Sequence, residues 1–485
     1  MISKTPLIIK KSRVGGDYTD IPKNDVPTNE INDIIDNNLL RDSRIKLPEI
    51  SEPEVVRHYI KLSTKNHHVD KDFYPLGSCT MKYNPKINDK VASDPMFSDV
   101  HPNQHINSIQ GHLELQFRLE KMLNDITGMD NTTLQPSAGS QGEFVGLLIM
   151  QKYHQKNPKK KYIIIPESAH GTNPASVILA GFEVIQVGTN QDGCVDIDDL
   201  KSKVNEEVAG MMLTQPNTLG IFEKDIKLIS SIIHDVDGLL YMDGANLNAM
   251  LGLCKPADMG FDIVHMNVHK TFSTPHGGGG PGAGPIGVVK KLSKYLPYPV
   301  ITKREDDFNF DFNHKKTSIG KIHSFFGNTG VLVRAYCYIK SLGSKGLVNV
   351  SLNAIINANY IKQRLKESYI IPFEHGTMHE FVISAKKQKE TGLKALDIAK
   401  IVLDYGFHAP TIYFPINIPE AIMIEPTETE SKKTLDTFIN LMLDIDTKID
   451  LDLDDLLDSP KNTPVRRLNE TKANRELNLN WKNEL

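Results

Sequence analysis

Short apolar runs alternate with amphipathic stretches through the middle of the chain. Tyr162 to Ile165, Glu183 to Val187, Gly210 to Thr214, Leu239 to Met242, Asp262 to Asn267 and Gly284 to Val289 read as strands. Pro174 to Ala180, Asp196 to Val208 (polar and capped) and Lys224 to His234 read as the helices between them. Ahead of these, Leu113, Leu115, Phe117, Leu119, Met122 and Leu123 lie on one face of a helix from Ser108 to Thr127, ended by Gly128. This alternation predicts a mostly parallel sheet covered on both faces, of the α/β class. Ligands of such sheets sit beyond the strand ends.

The pattern changes towards both termini. Residues 1–100 are rich in Pro, Asn and Asp and predict an arm with short helices, among them Ser51 to Lys65 with a Ser cap. The stretch Tyr74 to Pro85 (YPLGSCTMKYNP) predicts a loop. Residues 101–330 hold the alternating region. After it, Val331 to Leu342 and Leu347 to Tyr369 predict long helices. Strand-like pieces at Glu380 to Ser384, His408 to Pro410 and Ala421 to Ile424 bracket a helix from Leu393 to Tyr405, giving a smaller α+β domain over 331–450. Residues 451–485 are a polar tail with the single Trp, Trp481.

Composition narrows the function classes. The chain has 485 residues, which at ~150 residues per domain suggests two or three units. Lys and Arg number 56 against 60 Asp and Glu, so no basic excess points to nucleic acid or an acidic membrane. Cys79, Cys194, Cys254 and Cys337 are too far apart for a C-x-x-C site, and a reducing compartment fits. No stretch approaches the ~20 apolar residues of a membrane span, and a cytoplasmic protein is expected.

The segment from Leu239 to Val289 carries the most chemistry. An Asp, Asp243, ends one strand; one step later a Lys, Lys270, ends the next and is followed by glycines. Pyridoxal phosphate needs both groups: an amine for a Schiff base, and a carboxylate that keeps the pyridine nitrogen protonated. Alone, Asp243 reads as an ordinary Asp-Gly turn and Lys270 as one surface lysine among many. A second piece, QPSAGSQGE (Gln135 to Glu143), puts small residues at the start of an apolar helix, where backbone N–H groups donate to an anion; in isolation it reads rather as simple Ser capping. The run Gly277 to Gly280 lacks the G-K-[ST] ending of a phosphate loop and is expected to give flexibility beside the lysine. In SAHGTNPAS, His170 either stacks on a planar ring or stands beside a helix cap made by Thr172 or Asn173. His265 and His269 have zinc spacing, with His276 near, but on a strand and loop they do not converge, so no metal is expected.

Together, PLGSCTMKYNP, QPSAGSQGE, SAHGTNPAS, LTQPNTLGIFE, YMDGANLNA and HMNVHKTFSTPHGGGGPGAGPIGV resemble the glycine-cleavage P-protein family, glycine dehydrogenase (decarboxylating). Within it the likeness is to subunit 2, the separate C-terminal-half chain of the two-chain form. The resemblance spans residues 75–289, and the helices after 330 and EPTETE (Glu425 to Glu430) fit too. It implies a fold-type-I, aminotransferase-like pyridoxal phosphate enzyme. Lys270 matches the Schiff-base lysine, Asp243 the pyridinium partner and His170 the ring-stacking residue. Ser137, Ala138, Gly139 and Gln141 fall at the phosphate loop, Gln141 resembling the one-chain form where two-chain members often carry His. Thr218 or Asn217 falls where the ring hydroxyl is contacted; Ala245 and His269 fall among the cofactor contacts. The implied reaction is decarboxylation of glycine, with transfer of the aminomethyl group to the lipoyl arm of the H-protein. The implied partners are that carrier and a homologous subunit 1, in a heterotetramer of two of each. The loop from Gly77 to Lys82 lines either the site or the partner contact. Three other readings are weaker. Another fold-type-I enzyme acting on a small amino acid is one; in a desulfurase a catalytic Cys in a mobile late loop is missing. A non-catalytic subunit is opposed by Lys270, Asp243 and His170, and a metallohydrolase would rest on the His cluster.

Overall fold

The computed structural model describes residues 5–13, 24–43, 45, 47–276 and 282–477. Two of the features named above, the Gly277 to Gly280 run and Trp481, lie outside the described residues. The chain groups into two compact units. One comprises residues 1–67 and 460–485, the other His68–Ser459. The unit boundaries thus fall at 67/68 and 459/460, beside the divisions expected at 100, 330 and 450. In the first unit the expected helix forms over Glu52–Ser63, but Ser51 gives its backbone no side-chain cap; its hydroxyl bonds Glu54 instead.

The second unit is built on a seven-stranded sheet in the order β1-β7-β6-β5-β4-β2-β3. The strands are β1 (Asn131–Thr133), β2 (Tyr162–Pro166), β3 (Glu183–Val187), β4 (Val208–Thr214), β5 (Leu239–Gly244), β6 (Ile263–Met266) and β7 (Ile286–Val288). β3, β2, β4, β5 and β6 run parallel; β7 pairs antiparallel with β6, and β1, antiparallel to β7, forms the edge. Every residue of β4, β5 and β6 is buried, as the continuous apolar runs require when both faces are covered. Helices α1 (Gln110–Thr127), α2 (Gly139–Tyr153), α3 (Thr172–Leu179), α4 (Ile197–Lys203) and α5 (Ile226–His234) cover it. The helix expected to run to Val208 stops at Lys203, because Val208 is already paired into the sheet. Asp196 caps its start, accepting from the N–H groups of Asp198 and Asp199.

Helix α2 lies directly against β5. A Cβ on Gly146 would sit 2.1 Å from the Tyr241 ring, so only glycine allows this approach. Tyr241 is fully buried there, and its hydroxyl reaches His265 Nδ1 at 2.8 Å. Beyond β6 comes the single turn α6 (Val268–Thr271), which carries Lys270. A hairpin follows, β8 (Val300–Arg304) with β9 (Asp307–Asp311).

The two long helices expected after residue 330 form one span, α7 (Thr329–Leu365), broken where Gly343 takes φ 61° and ψ −176°. Next comes an antiparallel three-stranded sheet, β10 (Phe381–Ser384), β12 (Ala421–Ile424) and β11 (Thr411–Ile412) in that order. It packs with α8 (Ala395–Asp404) and α9 (Lys432–Lys448) around Phe381, Ile383, Ile398, Ile422, Phe438 and Met442. The Tyr74 to Pro85 loop runs along this sheet, with Leu76 bridged to Ile424.

Candidate active site

A cavity of about 280 Å³ opens where the parallel strands end. It is lined from β4 by Thr214, from β5 by Asp243, from the β5 exit by Ala245 and Asn246, and from beyond β6 by Asn267, His269 and Lys270. The start of α2 adds Ala138, Gly139, Ser140 and Glu143, and the start of α3 adds His170 and Thr172. Thr218, Ser78, His276 and Gly282 complete it.

Asp243 is 3 % exposed, and both of its oxygens have partners. Oδ1 accepts from the Ala245 N–H at 2.9 Å and lies 3.2 Å from His265 Nε2; Oδ2 accepts from Asn173 Nδ2 at 3.0 Å. Burial alone would push its carboxyl up. His265, the Asn173 and Ala245 hydrogen bonds and Lys270 outweigh that, and the pKa is held below the usual range. Asn173 Nδ2 also reaches Glu143 Oε2, so one amide bridges two buried carboxyls. Burial first, and Asp243 second, push Glu143 up. The two carboxyls are thus shifted in opposite directions, Asp243 down and Glu143 up. Thr172 and Ser176 hydroxyls donate to the same Glu143.

Lys270 donates to the Ser78 carbonyl at 2.9 Å rather than to an acid. Its neighbours His269 and His276 meet edge to face with centroids 4.9 Å apart. Burial, His276 and Lys270 push His269 down to about 3; burial and Lys270 push His276 down to about 4. Both rings are thus neutral near pH 7.

The residues expected at the site divide into two groups. Lys270, Asp243, His170, Ala138, Gly139, Thr218, Ala245 and His269 line one cavity. Ser137, Gln141 and Asn217 are not on its wall, because their side chains are engaged elsewhere. Gln141 Oε1 accepts from the Ser137 N–H at 2.7 Å, and both residues meet His323 Nε2 at 2.9 Å. Asn217 folds its amide into its own turn, donating to Gly193 O and accepting from Leu219 and Ile221. Thr218 does line the cavity, but its hydroxyl donates to Ser168 O. His170 is both a wall residue and a helix cap: its Nδ1 accepts the Thr172 N–H at 3.2 Å. Asn173 caps nothing and instead serves Asp243 and Glu143. His265, weighed only as a metal ligand, turns to Tyr241 and Asp243. The sequence left Glu143, Asn246 and Asn267 without roles and offered Asn173 only as a helix cap; a lone acid leading an apolar helix was the one available signal.

The walls fit pyridoxal phosphate. Thr214 Oγ1, Asn267 Oδ1 and His269 Nδ1 are buried on the wall with no hydrogen-bond partner among the described residues, which calls for a polar occupant. The backbone entering the 15-residue α2 also lies open to the cavity. Here a Cβ on Gly139 would fall 2.4 Å from Asn267 Oδ1, so the chain can run this close only as glycine. A helix N-terminus bared in this way suits the phosphate.

Comparison with known proteins agrees. Residues 20–311 match the family model described as glycine cleavage system P-protein, and residues 350–466 the one described as glycine dehydrogenase, C-terminal domain. A protein of Staphylococcus aureus (strain JH9) named probable glycine dehydrogenase (decarboxylating) subunit 2 is 52% identical over 486 residues, covering 100% of this chain and 99% of its own. One of the same name from Staphylococcus haemolyticus (strain JCSC1435) is 52% identical over the same coverage. Among solved structures, an inhibitor-bound glycine decarboxylase (P-protein) of the glycine cleavage system superposes with a TM-score of 0.72 at 18% identity, over 86% of this chain and 94% of that one. A cysteine desulfurase of Thermococcus onnurineus NA1 gives 0.61 at 14% identity, over 83% and 100%. These structures share the fold-type-I architecture of pyridoxal phosphate enzymes. Matched along its whole length to relatives at this identity, the chain belongs to the glycine cleavage P-protein family.

Proposed function

We propose that this cavity holds pyridoxal phosphate on Lys270, decarboxylates glycine and passes the aminomethyl group to a lipoyl disulfide on a carrier protein. One observation carries the reading. A single cavity joins a lysine amine whose hydrogen bond among the described residues is to a carbonyl, a buried ionised carboxylate and an open helix N-terminus. When bound, the cofactor supplies an aldehyde for the lysine and a ring that draws off the electron pair left as CO2 departs. Asp243 presents a fixed negative charge, which keeps a proton on a pyridine nitrogen. Asn173, His265 and the Ala245 N–H hold that carboxylate still. The N–H groups at the start of α2 receive the phosphate, and neutral His269 meets it as a hydrogen-bond partner rather than as a cation. His170 forms the outer wall.

The bookkeeping of bonds is simple. The bond from glycine Cα to its carboxylate breaks and CO2 leaves. The freed electron pair bonds the methylene carbon to one lipoyl sulfur; the other sulfur leaves with the disulfide electrons and takes a proton. The relatives' designation as subunit 2 supports a homologous subunit 1 as partner. We further propose two copies of each subunit, a lipoylated H-protein as carrier, and a cytoplasmic location. All four cysteines are free, in keeping with a reducing compartment. Among the described residues no helix is long and apolar enough to cross a membrane.

Replacing Lys270 with Ala tests the reading. In the co-expressed two-chain enzyme the yellow colour of the lysine-bound cofactor and glycine–CO2 exchange should both disappear. Retention of both refutes it.

A further inference from the structure

Behind Lys270 the small sheet gathers three ionisable groups away from solvent. His379 and Glu380 lead into β10, and Glu425 follows β12; all three side chains are 0 % exposed. Phe381 pairs with Ile424, so Glu380 and Glu425 occupy the next rung side by side. Two carboxyls placed so closely repel when both are charged. Their oxygens grip the Tyr74 to Pro85 loop. Glu380 Oε2 accepts the Ser78 N–H at 2.6 Å, and Glu425 Oε1 accepts the Thr80 hydroxyl at 2.5 Å. From β11, Thr411 Oγ1 donates to Gly77 O at 2.8 Å. The turn so held is not a relaxed one, since Ser78 has φ 64°. Its product is a single carbonyl, Ser78 O, on which the Lys270 amine rests. The remaining oxygen, Glu380 Oε1, accepts from Asn246 Nδ2 at 3.0 Å, and Asn246 lines the cavity.

We infer that Glu380 and Glu425 are positioning residues for substrate entry: they hold the Ser78–Thr80 turn as the rest for the Lys270 amine once glycine has displaced it. This rests on the reading of Lys270 as the cofactor lysine. In that exchange the proton lost by the glycine ammonium equals the one gained by the released lysine, so no outside acid is required. A turn could be pinned by amides. Carboxyls add a negative charge that stabilises an ammonium at Ser78 O and has no such use while the lysine is bonded to cofactor.

The electrostatics agree. The groups facing the pair are Lys270, Cys79 and His379, with Glu428 beyond Glu425. Burial pushes Glu380 up to about 7, against the Ser78 N–H and Lys270, which pull down. Burial and then Glu380 push Glu425 well above its usual range. Burial and Lys270 push His379 down to about 3, so it adds no charge near neutrality.

The test uses the co-expressed holoenzyme and the variants Glu380→Gln, Glu380→Asp and Glu425→Gln. Borohydride reduction followed by peptide mapping first reports cofactor on Lys270. Rapid mixing with glycine then reports how fast the yellow chromophore is converted, as a function of pH. Glu380→Gln should keep cofactor on Lys270 but slow the conversion by about tenfold to a hundredfold, the scale of a misplaced reacting group. It should also lose any limb near pH 7, and Glu380→Asp should restore part of the rate. Glu425→Gln should slow the same step, which covers the case of a Glu380 variant that does not fold. Wild-type rates and pH profiles in the Gln variants overturn the inference, as does lowered stability or cofactor content with the conversion rate unchanged. Wild-type enzyme trapped on a lysine other than Lys270 overturns the underlying reading, and the inference falls with it.

Discussion

Lys82 and Glu428 offer the sharpest energetic prediction. Lys82, from the loop before residue 85, has a side chain only 1% exposed and Glu428 only 8%. The ammonium donates to Glu428 Oε1 at 2.8 Å, Asn248 Oδ1 at 2.8 Å, Thr271 O at 2.9 Å and Tyr338 Oη at 3.0 Å. Burial alone would lower the lysine's pKa, but Glu428 and Tyr338 more than offset it and the pKa is raised. Among the described residues, Lys82→Met leaves Glu428 the Asn248 amide and the Tyr338 hydroxyl as donors, at 3.2 Å each. A buried charge stripped of its partner costs about 3–5 kcal/mol. Glu428→Gln strands the ammonium in the same way and should cost about as much. The double variant removes both charges together, so its loss should be close to that of one single variant. The coupling is then about 3–5 kcal/mol, at or above the upper end of measured pairs. Urea denaturation followed by circular dichroism on all four proteins measures it. Losses that add to within about 0.5 kcal/mol would show that the two residues do not act as a pair. Because Thr271 adjoins Lys270, Lys82→Met should also lower glycine–CO2 exchange.

Two further outcomes follow from the buried acids. Asp243→Asn keeps the shape of the wall but removes its charge. Cofactor should still be trapped on Lys270 while glycine–CO2 exchange falls about 10²–10³-fold; near-normal exchange would remove Asp243 from the mechanism. Asp262 accepts from the Leu240 N–H at 2.9 Å and meets His234 at 2.7 Å and Lys291 at 2.8 Å. Burial opposes its charge, but these partners outweigh it and the pKa is lowered. The folded state therefore binds this proton less readily than the unfolded chain. Its stabilisation is present above about pH 4, the unfolded value, and is lost as pH falls through the folded one. Asp262→Asn should cost about 1.5–3 kcal/mol at pH 7 and flatten the acid limb of a stability–pH curve; an unchanged acid limb would count against this.

The middle of the sheet was legible because its strands are apolar on both sides. Gly210 to Thr214 and Leu239 to Met242 leave no polar face to confuse the pattern. The edge escaped for the converse reason. β1 is Asn-Thr-Thr and was not read as a strand; nor was the polar β8–β9 hairpin, which alternates weakly. Asp243, which sits at the end of β5, and Lys270, just beyond β6, could be picked out as candidates from that spacing, and both line the cavity. Asn173, Glu143, Glu380 and Glu425 were not, because each acts through a partner far away in sequence. Ser78 and Glu380, for example, stand 302 positions apart. Ser137 and Gln141 show the limit of a motif. The segment meets the cavity through its backbone, while the polar side chains that mark it bond to each other and to His323.

The most direct measurement is borohydride reduction of the cofactor-loaded two-chain enzyme, followed by proteolysis and mass mapping of the modified lysine. The account predicts phosphopyridoxyl on Lys270 alone, at one per copy of this chain. Label on Lys82, a lysine buried beside α6, or on no lysine of this chain, would contradict it.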